Sequence, residues 1–307
     1  MSRLSVVMNV KNGAKYLEKS LASIENIADE IVVVDMASTD ETLAIAKKFK
    51  AKIYQYPEPE IGNVEMAREW SFNKVQGEWI LLLDCDEEIS LPLAELIKRI
   101  VRGEEEVVKK ADAYYLARKN IIWDKVITRA NWWPDYQLRL WKKGKISWPR
   151  VLHPQPKVLG KSGYLPPEEG LTIIHHNYQT IEQFIKKANR YSSYKASERA
   201  EQRSVTSREL WDSFWDEFWA RAFLHRGIEE GSHGIVLSLL QSSTELMTKA
   251  KEWEGQDFTK QSLSTKEMKK MRKAMQKTAA YWWAEVLAGR TKGVEKMYWQ
   301  IRRKAKI

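Results

Sequence analysis

Within its first ninety residues the chain alternates short apolar runs with longer stretches of helical period, and few folds accommodate that alternation. The runs are Leu4-Ser5-Val6-Val7-Met8-Asn9-Val10, Ile31-Val32-Val33-Val34-Asp35, Lys52-Ile53-Tyr54-Gln55-Tyr56 and Trp79-Ile80-Leu81-Leu82-Leu83. Continuous apolar segments of this kind suit strands buried on both faces of a sheet. Between them, Leu17, Leu21 and Ile24, then Leu43, Ala46 and Phe49, recur at helical spacing, and residues 64–75 supply a third helix. Strands alternating with helices of about ten to fifteen residues are the mark of parallel βαβ units, so an α/β fold is expected. Ser38-Thr39-Asp40-Glu41 has the form of a capping box opening the second helix. Pro57 and Pro59 stop the third strand.

The fourth run, preceded by Gly77, breaks into Asp84, Asp86, Glu87 and Glu88 around Cys85. Carboxylates at the carboxyl end of a buried strand lie in the crevice where open α/β sheets bind ligands. Asp84 and Asp86 are two apart, so on an extended backbone they share one side. Such a pair can hold a hard divalent cation, with water and phosphate oxygens completing the shell. Taken alone, the acids fit a solvated turn equally well. Cys85 is the one cysteine, which excludes an internal disulfide and suits a reducing compartment. Its small side chain is expected to turn back toward the core.

Farther along, Ser90 and Pro92 open a helix running to about residue 101, and residues 113–117 form an aromatic-rich strand. Tyr136-Gln137-Leu138-Arg139-Leu140-Trp141 alternates as a half-buried strand does, and follows Trp132-Trp133-Pro134-Asp135. Residues 149–167 are proline-rich and irregular, suiting a loop that covers a site, and residues 171–176 give a last short strand. Beyond Tyr178 the pattern is helical. Trp211, Phe214, Trp215, Phe218, Trp219, Ala222 and Phe223 form a broad aromatic stripe. The expected division is a catalytic α/β domain over residues 1–178, a helical accessory region over 179–255 and a basic helical tail over 256–307. The net charge of +10 implies an anionic partner: a nucleoside diphosphate, an acidic lipid headgroup or nucleic acid. No signal peptide opens the sequence and no apolar stretch approaches a membrane span, so a cytoplasmic protein is expected.

Four segments together, Val6-Val7-Met8-Asn9-Val10-Lys11-Asn12, residues 31–42, residues 65–73 and Asp84-Cys85-Asp86, resemble the family-2 glycosyltransferases. These are inverting enzymes with a nucleotide-diphospho-sugar-binding α/β fold called GT-A. The segments Trp133-Pro134-Asp135-Tyr136-Gln137-Leu138-Arg139-Leu140 and 175–191 resemble its lipopolysaccharide-core β-glucosyltransferase branch, and the resemblance spans about residues 3–255. It implies that Asp86 ligates Mg²⁺ or Mn²⁺ on the donor's phosphates, with Asp84 assisting at the metal, ribose or water. The backbone of Val7 to Asn9 would flank the base, Asp35 would meet base or ribose, and Arg68 would reach nucleotide or phosphate.

An inverting transfer needs one base to take the proton of the acceptor hydroxyl. The branch's Pro-Asp-x-Gln pattern places it at Asp135, with Glu87 and Glu88 as rivals. Gln137 and Arg139, on the same side of the strand by alternation, would orient acceptor or diphosphate. Two departures stand out. Met36 replaces a second acid after Asp35, and His153-Pro154 stands where the branch has His-Glu, so His153 is either a third metal ligand, a phosphate contact or neither. His175 and His176 suit structural roles at a strand end, though one could face the diphosphate. The resemblance implies a nucleotide-sugar donor and a glycan or glycolipid acceptor at the inner face of the cytoplasmic membrane. The basic tail with Trp282, Trp283 and Trp299 suits an interfacial anchor there, whereas the stripe over residues 211–223 suits internal packing. Two other readings fit parts of the sequence. A sugar nucleotidyltransferase would need a glycine-rich phosphate loop longer than Lys11-Asn12-Gly13-Ala14. A nucleic-acid-binding protein would share the basic and aromatic composition, but the Lys and Arg are spread over the whole length.

Overall fold

A computed structural model describes residues 3–58, 64–104, 110–149, 156–168, 170–199 and 204–305. Two compact units emerge: residues 1–128 with 132–179, and residues 129–131 with 180–307.

The first unit is built on one mixed sheet. It begins with β1 (Leu4–Val10), α1 (Ala14–Ile24), β2 (Glu30–Asp35), α2 (Thr42–Lys48), β3 (Lys52–Gln55), α3 (Val64–Phe72) and β4 (Trp79–Leu82). The four strands lie parallel in the order β3-β2-β1-β4. Their apolar runs divide by residue parity, as a two-sided burial demands. Val6, Met8, Val33, Leu81 and Leu83 enter one buried cluster with Leu17 and Leu21 of α1. Val7, Val32, Val34, Ile80 and Leu82 enter the other, with Ala67 of α3. Each such side chain contributes roughly 1.5–3 kcal/mol on leaving water, so the sheet is held from both faces.

The chain continues through β5 (Glu87–Ile89), α4 (Leu91–Arg102), β6 (Ala113–Ile122), β7 (Lys125–Ile127), β8 (Asp135–Lys142), β9 (Ile146–Ser147), β10 (Lys157–Val158), β11 (Ser162–Tyr164) and β12 (Ile173–Tyr178). Beside β4 the sheet changes sense. β8 runs antiparallel to β4, β6 antiparallel to β8, β12 parallel to β6, and β5 antiparallel to β12. The beginning of β8 therefore lies at the same sheet edge as the ends of β1, β4, β6 and β12. This α/β arrangement with a helical region after it is the GT-A class expected above.

Glycine is required at two close approaches, one before β4 and one after β1. A Cβ on Gly77 would stand 2.6 Å from Ser5 Oγ and 2.7 Å from Ser5 N, so a side chain there would push β4 off β1. A Cβ on Gly13 would meet Cys85 Sγ at 2.9 Å, which shows Cys85 tucked against the start of α1. Burial, together with the negative charges of Asp86 and Asp84, pushes the Cys85 thiol upward, so it stays protonated.

Two local expectations change. Ser38 does not open a capping box, because α2 starts at Thr42 and Glu41 makes no side-chain cap. Ser38 Oγ accepts from Asn12 N at 2.9 Å and Asp40 Oδ2 from Ala14 N at 3.0 Å. Those side chains tie the turn after β2 to the turn after β1. The second change concerns the acidic stretch, which does not continue β4: Glu87 N donates to Asp84 O at 3.0 Å, closing a turn, and Glu87 already belongs to β5.

The second unit contains α5 (Ile181–Arg199), α6 (Ser207–Trp219), a π-helical turn (Ala220–Leu224), a 3-10 turn (Gly227–Glu230), α7 (Ser232–Glu254), α8 (Thr265–Arg290) and α9 (Gly293–Ala305). α6 and α8 each begin with a capping box, Thr206 with Glu209 and Ser264 with Glu267. The aromatic stripe forms this unit's own core: Trp219, Ala222 and Phe223 pack with Trp215, Phe218 and Trp282. Trp282, expected in an exposed anchor, is thereby part of a packed cluster.

Candidate active site

At the sheet edge where β1, β4, β6, β8 and β12 meet, three arginines and three carboxylates interlock. Arg68 of α3 donates to Asp84 Oδ1 at 2.6 Å. Arg139 of β8 donates to Asp84 Oδ2 at 2.7 Å and to Glu87 Oε1 at 2.6 Å. Arg118 of β6 donates to Glu87 Oε1 at 3.0 Å and, through Nε and Nη2, to Asp135 Oδ2 at 2.9 and 2.7 Å. The register sets this up, since Arg118 lies directly across from Asp135. Burial opposes ionisation of Asp84, but Arg139 and Arg68 outweigh it and hold its carboxyl well below the usual range.

Asp135 is a carboxylate of this set with an oxygen open to chemistry. Its side chain is 22% exposed, close to the 21% of Asp84, whereas that of Glu87 is fully buried. Oδ2 is saturated by Arg118 and by Asn120 Nδ2 at 3.1 Å. Oδ1 accepts one bond, from Gln137 Nε2 at 2.7 Å, and so keeps a lone pair for another donor. Burial raises its pKa, but Arg118 and the two amides prevail, and Asp135 is held below its usual value, ionised at neutral pH. Of the rival bases, Glu87 is enclosed between two guanidiniums, and Glu88 Oε1 lies 2.6 Å from His176 Nε2.

Asp86 turns the other way. Its side chain is 34% exposed, and its Oδ2 lies 3.7 Å from His175 Nε2. Asp84, expected beside it at a metal, accepts one guanidinium bond on each oxygen, and its side chain is 21% exposed. Asp86 and His175 form an oxygen–nitrogen donor pair that fits a divalent ion whose other ligands come from phosphate and water. Among the described residues no group of three or more His, Cys, Asp or Glu could hold a metal without such help. His153 lies outside the described residues.

The remaining expected contacts divide. Asn9, at the end of β1, accepts from Ser71 Oγ at 3.3 Å, and its buried Nδ2 has no partner among the described residues, a donor available to a ligand. Asp35 is buried, with its carboxylate accepting from Ser38 N at 3.2 Å. Val7 is enclosed in the sheet and its carbonyl accepts from Leu83 N at 3.1 Å. Gln137 orients Asp135, whereas Arg139 is buried, with Nη2 bonded to Asp84 and Glu87 and Nε without a hydrogen-bond partner among the described residues. Arg118, Asn120 and His175 were not singled out by sequence as one group. The two-residue alternation of Arg118 and Asn120 on β6 was the available signal, but their partners are set by cross-strand register.

Residues 5–151 match the family profile described as glycosyl transferase family 2. These residues are a family-2 glycosyltransferase domain. The transferase is 27% identical over 264 residues to an uncharacterized glycosyltransferase of Rickettsia felis, covering 82% of this chain and 89% of that one. It is 25% identical to the lipopolysaccharide core biosynthesis glycosyltransferase LpsC of Rhizobium meliloti, over 64% of this chain and 72% of the relative. Among solved structures, Staphylococcus aureus TarS 1-349 is similar with a TM-score of 0.43 at 13% identity, covering 85% of this chain and 94% of that chain. The family match supports glycosyl transfer over nucleotidyl transfer and over a purely non-catalytic role. No helix among the described residues of the transferase is long and apolar enough to cross a membrane.

Proposed function

We propose that the transferase moves a sugar, with inversion, from a nucleoside-diphospho-sugar to a hydroxyl of a cell-envelope glycan or glycolipid. The observation that carries this reading is Asp135: ionised, gripped on Oδ2 and open on Oδ1, at the edge where the strand ends converge. The acceptor oxygen forms the new bond to the anomeric carbon as the bond from that carbon to the diphosphate breaks. The hydroxyl proton passes to Asp135 Oδ1, and the nucleoside diphosphate departs. Arg118, Asn120 and Gln137 hold the carboxylate still, so little reorganisation accompanies the proton's arrival. Asn9 Nδ2 is placed to donate to the nucleotide.

Asp86 and His175 would hold Mg²⁺ or Mn²⁺ on the donor phosphates, where the cation's charge offsets that developing on the leaving group. The similarity to LpsC supports a lipopolysaccharide-core-like acceptor. A second observation supports work at the inner face of an anionic membrane. On α9, Val294, Met297 and Ile301 are 78%, 55% and 58% exposed on one helix face, flanked by Lys296, Arg302 and Lys304.

A panel of nucleotide sugars with Mn²⁺ tests the reading through release of nucleoside diphosphate. Asp135→Asn should bind donor normally while transfer falls by a factor of about 10² to 10⁴. Asp86→Ala should lose metal-dependent donor binding. Full transfer by Asp135→Asn would move the base elsewhere.

A further inference from the structure

Asn120 lies on β6, fully buried, with partners at both ends of its amide. Nδ2 donates to Asp135 Oδ2 at 3.1 Å and to the Trp132 carbonyl at 3.3 Å. Oδ1 accepts from Asn177 Nδ2 at 3.2 Å and stands 2.7 Å from His175 Nδ1. An ionised carboxylate and a carbonyl can only accept, so the NH₂ group must face them and Oδ1 must face the histidine. The His175 nitrogen opposite Oδ1 therefore carries its hydrogen. In the neutral ring the lone pair then sits on Nε2, the nitrogen 3.7 Å from Asp86 Oδ2.

We infer that Asn120 is a positioning residue serving two groups at once, holding Asp135 in place and fixing His175 in the tautomer that presents an Nε2 lone pair beside Asp86. This rests on the roles proposed above for Asp135, Asp86 and His175. Arg118 also grips Asp135, but its other partner is Glu87. Among the described residues, Asn120 is the side chain bonded to both Asp135 and His175. A histidine that ligates a metal commonly donates its second ring N–H to an oxygen, and such partners carry about 10- to 100-fold of metal affinity. Here that oxygen belongs to an amide whose other end is committed to the base. Rotating or removing the amide disturbs both.

The first test needs no variant. Long-range ¹H–¹⁵N NMR of the ¹⁵N-histidine-labelled transferase at pH 8, with His175 assigned through His175→Gln, should show hydrogen on Nδ1 alone. Hydrogen on Nε2 would overturn the inference. The second test uses Asn120→Ser and Asn120→Asp. Titration with Mn²⁺ alone should show affinity reduced about 10- to 100-fold in Asn120→Ser, whereas Asn120→Asp, whose carboxylate still accepts the His175 N–H, should keep it. In Asn120→Asp a second carboxylate beside Asp135 raises its pKa, so the acid limb of kcat/KM should move to higher pH. A lowered melting temperature with unchanged Mn²⁺ affinity in Asn120→Ser and an unchanged limb in Asn120→Asp would leave Asn120 a packing residue and overturn the inference. Asp86→Ala and Asp135→Asn are measured alongside. Should both retain metal binding and transfer, the proposed function fails, whereas the His175 tautomer still decides the role of Asn120.

Discussion

Arg139 shows how little of this site is surface chemistry. It is buried, yet it bonds Asp84 and Glu87 together, and Glu87 is itself fully enclosed. Taking ions from water costs several kcal/mol each, repaid only if each keeps its partner. Arg139→Leu would leave the buried Glu87 and the half-buried Asp84 with one guanidinium apiece, and should lower the unfolding free energy by roughly 3–5 kcal/mol, measured by urea titration. Arg139→Lys should lose less, because the charge remains while the planar fork is gone. The sign with pH follows from the depressed carboxyls. Asp84 and Asp135 lie below their usual value near 3.8, so their stabilisation is complete above that value and lost as acid protonates the folded form. The urea midpoint should thus hold from neutral pH down to about 5 and fall below 4.

At the scale of elements, β4, which leads into the turn carrying Asp84 and Asp86, is held on β1 by close backbone approach as well as by apolar residues. Gly77 N donates to Ser5 Oγ at 2.8 Å, where a methyl group would collide with backbone. Gly77→Ala should destabilise the protein by about 1–3 kcal/mol, and a circular-dichroism melt should show it; an unchanged melting temperature would mean that β4 can shift freely against β1. The four parallel strands were legible because each is an unbroken apolar run with a helical interval behind it. Asp135 was legible as the acid opening an alternating strand. The assembly of Arg118, Asn120, Glu87 and His175 was not. Those residues are separated by up to about ninety positions, and only the pairings of β6 with β8 and β12, and of β12 with β5, bring them together. Local spacing carries no record of register between distant strands. The Ser38 capping box failed for a related reason: a tertiary partner, Asn12 N, claimed the hydroxyl first.

At the scale of the whole molecule, the exposed apolar face of α9 has a testable consequence. That face carries Val294, Met297 and Ile301, while Arg303 turns back to pair with Glu285 of α8. Wild-type protein should sediment with vesicles containing phosphatidylglycerol and stay in the supernatant with neutral phosphatidylcholine vesicles. Met297→Glu with Ile301→Glu should reduce the bound fraction about tenfold without altering turnover of a water-soluble acceptor. Equal binding by wild type and the double variant would assign the face to something other than lipid.

The interlocked cluster has a further consequence for capture of the donor. Arg68, Arg118 and Arg139 are matched by Asp84, Glu87 and Asp135, so this hub is electroneutral and all of the chain's excess positive charge resides outside it. At physiological ionic strength, counter-ions blunt exposed charges beyond about 8 Å. Under the proposed reading, a diphosphate gains no net attraction from this cluster, and only cations within that distance of where it docks add to its capture.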